Sequence, residues 1–182
     1  MKLLSFNRRV KHGSFIGIKH PKHNLSSPGV EFQQGFYTTL NSRYAYGRGV
    51  LKSEQKGLKV VYVNEYDFDD RRARRDRNHN LLKIRTFKAD TEWANFLVRC
   101  QDPDFSHDYD IIIGPTADDN MINLIEDFRK KYELDATGRY DEGALHTLLK
   151  ELEDGIDSNQ IVFCTRKALK YLKYIRTLEV DL

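Results

Sequence analysis

The stretch "YDIIIGP" (Tyr109 to Pro115) constrains this chain more than any other. Three consecutive isoleucines leave a strand no polar side to turn toward water. The run predicts a β-strand covered on both faces and stopped by Gly114-Pro115, and hence a layered fold. A second strand is written in "LKVVYVNEYDF" (Leu58 to Phe68), which is β-branched and aromatic throughout.

The other segments fall around these two. "QQGFYTTL" reads as a short strand entered through Gly35, and "LLKIRTF" and "QIVFCT" read as strands. Asn41 or Ser42 can cap a helical turn, "SRYAYGRG", ended by Gly47 and Gly49. "DTEWANFLVRC" is a helix capped by Asp90 or Thr91, with Trp93, Phe96 and Leu97 inward. "DDNMINLIEDFRKKY" presents Met121, Leu124, Ile125 and Phe128 on one face, and "YDEGALHTLLKELEDG" presents Leu145, Leu148, Leu149 and Leu152. "RKALKYLKYI" is a short helix or turn, and "RTLEVDL" a terminal strand. "HPKHNLSSPG" and "DDRRARRDRNHN" are polar interruptions. Helices are inserted irregularly among strands, which predicts an α+β fold with mostly antiparallel or split sheets rather than a doubly wound one. No Gly-x-Gly-x-x-Gly follows a strand and there is no Walker loop.

The 182 residues, 40% of them apolar, fit one domain spanning 1–182 with a real core. Net charge is +3, which permits a nucleic-acid partner without predicting one. Cys100 and Cys164 stand far apart, which disfavours a disulfide framework or a thiolate zinc site and fits a cytoplasmic location. The opening "MKLLSFNRRVKHG" is too short in apolar residues for a signal peptide, and no stretch approaches the roughly 20 apolar residues of a membrane span.

Three pieces set a polar or aromatic residue beside a glycine or at a strand edge: "HGS" (His12 to Ser14), "FQQGFYTT" (Phe32 to Thr39) and "SNQIVFCT" (Ser158 to Thr165). Each has an ordinary reading alone: a turn with a solvated histidine, a bulge beside a strand tyrosine, an amide satisfying its neighbours. In this order they resemble the three motifs of the ADP-ribosyltransferase fold, in the diphtheria-toxin and poly(ADP-ribose)-polymerase branch whose motif residues are His, Tyr and Glu. "NQIVFCTRKALKYLKYI" is similar to the polymerase segment that carries the catalytic Glu. The chain resembles more closely a bacterial family, domain-of-unknown-function family three-nine-nine-zero. Its pattern "HGS … FGxGFYxTT … EW … YDxxxGPxAND … NQxxFxTxKALxYL" corresponds here to His12-Gly13-Ser14, Phe32 through Thr39, Glu92-Trp93, Tyr109-Asp110, Gly114-Pro115, Ala117, and Asn159-Gln160 through Leu172.

The resemblance implies two small sheets packed at a steep angle with NAD in the cleft between them, and no metal. His12, Gly13, Ser14, Gly35 and Tyr37 would then line the NAD site. Gly13 lets the backbone approach the nicotinamide amide. His12 serves a ribose hydroxyl, with Ser14 assisting. Tyr37 offers a flat ring, and Tyr44 or Tyr46 a second stacking face. Gln160 stands where the branch carries its Glu; it keeps a hydrogen-bonding oxygen but neither charge nor basicity. Asp118 or Asp119 is a helix cap on one reading and a base for the acceptor on the other, with Asp119 the catalytic candidate. Glu31, two residues ahead of the glycine loop, ranks after them.

Arg71, Arg72, Arg74, Arg75 and Arg77 alternate with Asp69, Asp70 and Asp76, as in a self-paired solvated segment; a pyrophosphate or nucleic-acid clamp is the functional reading. His20 and His23 have no thiol or acid nearby to complete a metal site. The resemblance implies an NAD-dependent mono-ADP-ribosyltransferase acting on a macromolecule, of the kind found as toxins in toxin–antitoxin or phage-defence modules with a small neutralising protein. A non-catalytic NAD- or ADP-ribose-binding module and a nucleic-acid-binding domain are the alternatives.

Overall fold

The computed structural model describes residues 8–24, 31–117, 119–153, 155–156 and 158–182, apart from the side chains of positions 119 and 120. In chain order the elements are β1 (Arg8–Ser14), β2 (Phe36–Thr39), α1 (Ser42–Glu54), β3 (Val60–Phe68), α2 (Asp70–Asn78), β4 (Ile84–Thr86) and α3 (Thr91–Cys100). They continue as β5 (Ile111–Pro115), α4 (Asp119–Lys131), α5 (Glu142–Glu153), β6 (Asn159–Phe163), α6 (Arg166–Leu169) and β7 (Leu172–Asp181). Among the described residues the seven strands form one mixed sheet in the order β4-β5-β6-β2-β1-β3-β7, antiparallel except where β4 meets β5. The α+β class follows from this.

The pairing is uneven. β1 and β3 pair over seven positions, from Arg8↔Phe68 to Ser14↔Tyr62. β1 and β2 share a single register pair, Lys11↔Thr39. The sheet is therefore two well-paired blocks joined at one position.

Both faces are covered, as the isoleucine run requires. Ile111 and Ile112 are fully buried yet point to opposite cores. One core joins Ile112 and Val162 to Phe32, Trp93 and Phe96 and to the inner faces of α3, α4 and α5. The other joins Ile111, Ile161 and Phe163 to Val10, Tyr66 and Phe68, with Ala73 of α2 and Ala168 of α6. Met121, Ile125 and Phe128 of α4 are buried as expected, whereas Leu124 is exposed.

Helix α1 outruns its expected end. Asn41 caps it, accepting from the Arg43 and Tyr44 amides, but Gly47 and Gly49 lie inside it rather than after it. The reason is tertiary. A Cβ on Gly49 would stand 2.5 Å from Val61 Cγ1, and one on Gly13 would stand 1.7 Å from the Ala45 carbonyl oxygen. Glycines on both sides let α1 lie directly on β1, and that contact outweighs the glycines' poor helix propensity.

Three other boundaries differ from expectation. The charged stretch after β3 is a helix, α2, held by the Arg74–Asp70 and Arg72–Asp76 ion pairs one turn apart. β5 begins at Ile111 rather than Tyr109, and Gly114 and Pro115 are its last residues. β7 begins at Leu172 because it pairs with all of β3. Among the described residues no helix is long and apolar enough to cross a membrane.

Candidate functional site

His12, Tyr37 and Gln160 stand on three adjacent strands, β1, β2 and β6, but the register sets Tyr37 and Gln160 on one face of the sheet with Val162 and turns the His12 ring to the other face, against Phe36. His12 follows the one position where β1 meets β2. Its Nδ1 lies 2.6 Å from the Tyr37 carbonyl oxygen, so the imidazole bridges the two strands just past their shared pair. The ring stacks on Phe36 with centroids 4.6 Å apart.

The protonation state follows. A carbonyl only accepts, so Nδ1 carries the hydrogen. Burial, helped by the Lys52 and Arg48 charges, pushes the His12 pKa down to about 3. The ring is neutral at physiological pH and Nε2 presents a lone pair. Lys52 Nζ donates to it at 3.4 Å, and donates to the Gly13 carbonyl at 3.0 Å. Burial and Arg48 bring the Lys52 pKa itself down to about 8. His12 Nε2 is thus an acceptor held by Lys52, and a ligand hydroxyl that bonds it takes the place of the ammonium.

Tyr37 closes its own loop. Its hydroxyl donates to the Gln33 carbonyl at 2.7 Å and accepts from the Phe32 amide at 3.0 Å. Gln33 adopts φ 62°, and its side-chain amide donates to the Phe105 carbonyl at 2.7 Å. Gly35 is buried against β6, where a Cβ would stand 2.4 Å from Val162 Cγ1.

Gln160 is 4% exposed and pairs with Thr39 on β2 and Gly114 on β5. Its Nε2 donates to the Pro115 carbonyl at 3.3 Å. Its side chain also hydrogen-bonds Glu31, whose Oε1 accepts from the Ala117 amide at 3.2 Å. Burial raises the Glu31 pKa, opposed by those hydrogen bonds and by the Arg48 charge. Arg48 therefore acts on both ends of the cluster, on His12 and on Glu31.

The remaining candidates are placed as follows. Ser14 is buried, and its Oγ accepts from the Ile16 amide at 3.5 Å. Tyr46 packs on Ala45, Val61 and Val63, whereas Tyr44 lies on the helix row of Arg48 and Lys52, at spacings of four. Asp118 and the side chain of Asp119 lie outside the described residues. Trp93 and Phe96 are core.

Asn64 was not singled out from the sequence. It is fully buried: its Oδ1 accepts from the Ile18 amide at 2.6 Å and from Thr177 Oγ1 at 2.8 Å, and its Nδ2 donates to the His12 and Ile16 carbonyls at 3.3 Å. It fixes the turn that leaves "HGS".

The family described as "Protein of unknown function (DUF3990)" has a model that matches residues 9–174. The chain belongs to the DUF3990 family. The matched span holds every residue of the cluster, from His12 to Gln160. No curated protein and no solved structure matches this DUF3990 chain.

Two features of this DUF3990 chain stand apart from the cluster. A cavity of about 310 Å³ between Tyr66, Tyr174 and Lys19–Pro21 opens on the sheet face opposite Gln160, the face against which the His12 ring stacks on Phe36. On α2, Arg72, Arg74 and Arg75 each reach an aspartate of the same helix, which supports the self-paired reading of that cluster.

Proposed function

We propose that this chain is an NAD-dependent mono-ADP-ribosyltransferase, which breaks the nicotinamide–ribose bond and passes ADP-ribose to a macromolecule. The observation that carries the reading is the adjacency of His12, Tyr37 and Gln160 on β1, β2 and β6, beside the cations Arg48 and Lys52 of α1. The chemistry of these groups fits the substrate. Two cations suit a pyrophosphate. The lone pair on His12 Nε2 suits a ribose hydroxyl. The uncharged Gln160 suits slow single transfer better than chain elongation, since a missing charge costs several-fold more in a dry site than in water. The finer fold assignment, two half-sheets flanking the NAD cleft, belongs to this proposal and is favoured by the single pair joining β1 to β2.

Incubation with labelled NAD tests the reading. The expected result is nicotinamide release or labelled protein or nucleic acid, lost in both His12→Ala and Gln160→Ala. Activity unchanged in both variants removes these residues from the mechanism.

The burial of Gln160 and its bond to Pro115 favour one second reading, a non-catalytic module that binds NAD or ADP-ribose. Saturable NAD binding without turnover is its signature. As a toxin restrained by a small partner protein, the transferase arrests growth when expressed alone in a bacterial host, and His12→Ala relieves the arrest.

A further inference from the structure

The residue at position 160 has a reason to be an amide. The Pro115 carbonyl only accepts, so the Gln160 atom facing it at 3.3 Å is a donor. The side chain hydrogen-bonds the Glu31 carboxyl as well. A glutamate at 160 gives Pro115 no hydrogen when ionised and sets two carboxylates side by side, which forces one of them to hold a proton. Gln160 is thus complementary to Glu31.

Glu31 is itself a costly residue to place here. It is 9% exposed, and a buried carboxyl is stable only where donors meet it. Two donors from different elements do so, the Ala117 amide after β5 at 3.2 Å and the Gln160 side chain on β6, and the Arg48 charge on α1 favours the ionised form as well. The same Arg48 acts on His12. Glu31, the third-ranked acid of the sequence reading, is therefore joined to Gln160 directly and to His12 through the Arg48 charge.

We propose that Glu31 is the acid of this site, standing ahead of β2 rather than on β6, and that Gln160 is the positioning residue that orients it. The inference rests on the transferase reading. In the step, the bond from ribose C1′ to the nicotinamide nitrogen breaks, and its electron pair leaves with the nicotinamide. The developing positive charge on the sugar faces the Glu31 carboxylate. The acceptor's lone pair forms the new bond to C1′, and the acceptor's proton passes to Glu31 and then to solvent.

The test measures nicotinamide release and NAD affinity for the full chain and for Glu31→Gln, Gln160→Glu and the exchanged double variant Glu31→Gln/Gln160→Glu. Glu31→Gln is expected to lower turnover by roughly 10²- to 10⁴-fold, the usual contribution of a proton acceptor, with NAD affinity nearly unchanged. Gln160→Glu alone is also slow, and the exchanged variant, which restores one acid and one amide, exceeds both single variants. The wild-type rate rises with pH through a limb above the ordinary carboxylate range, and Glu31→Gln lacks that limb. If Glu31→Gln fails to fold, the wild-type limb and the exchanged variant decide. Wild-type turnover in folded Glu31→Gln, no such limb, or an exchanged variant no faster than the single variants overturns the assignment of Glu31 alone. Wild-type protein that releases no nicotinamide overturns the transferase reading itself, and this assignment with it.

Discussion

The imidazole of His12 donates from Nδ1 to the Tyr37 carbonyl oxygen over 2.6 Å, beside the single pair that joins β1 to β2. A side chain there does the work of a ladder hydrogen bond, and its burial beside Lys52 and Arg48 requires the ring to be neutral.

That requirement gives a pH signature. The folded state holds the His12 pKa near 3, against an ordinary value of 6.5. Between these values the unfolded chain binds a proton that the folded chain refuses. Stability therefore rises with pH across about 3 to 6.5 and gains nothing further from this group above it. His12→Asn keeps a donor toward Tyr37 without titrating. Urea midpoints across the window are expected to climb less steeply in that variant than in wild type.

Lys52 acts in a higher window. Its folded pKa is about 8 against an ordinary 10.5, so the unfolded chain again holds the extra proton between them. Its contribution to stability rises as pH goes from about 8 to 10.5. Lys52→Met removes that rise, which melting curves in alkaline buffers will register as a loss of slope relative to wild type.

Gly13 of β1 and Gly47 of α1 should respond in opposite directions. Gly13→Ala puts a methyl 1.7 Å from the backbone of α1, which cannot yield as a side-chain tip can. The expected cost is about 3 kcal/mol or more, at the upper end of overpacking. Gly47→Ala meets nothing within 4 Å in the interior of α1 and should stabilise by about 0.5–1 kcal/mol. Denaturant titration of the pair checks both signs.

Asn64→Leu is expected to be severe. It leaves the half-buried Ile18 amide and the His12 and Ile16 carbonyls without their partner. At about 1–3 kcal/mol per stranded group, shared among groups that can partly relax, the loss is about 3 kcal/mol. For a chain of this size that is a drop of roughly 6–12 °C in calorimetric melting temperature.

The two cysteines should be silent toward thiol reagents in the native state. Cys100 is buried, and burial with the nearby Asp110 pushes the Cys164 pKa to about 12. A colorimetric disulfide reagent is expected to react slowly with the folded protein and with both thiols after denaturation.

The fold was legible where local chemistry decides. The isoleucine run, the aromatic strand β3 and the caps Asn41 and Asp90 are each set by neighbours in sequence. It was illegible where another element decides. Nothing around Gly49 reveals that Val61 and Ser14 press against it, and so the helix appeared to end too early. The length of β7 is set by its partner β3. The candidate site divides in the same way. His12, Tyr37 and Gln160 sit in short patterned pieces. Arg48 and Lys52 share a helix face that was readable only once α1 was known to continue past its glycines. Glu31 and Asn64 owe their roles to partners far along the chain, Gln160 and Thr177, which no periodicity links to them.

A sheet whose blocks meet at one rung carries a seam through its middle. Amide hydrogens in the centre of a sheet are ordinarily the last to exchange. Here protection is expected block by block, with β1-β3-β7 as one cooperative unit and β4-β5-β6-β2 as the other, and exchange measured by mass spectrometry should begin along their shared border rather than at the outer edges.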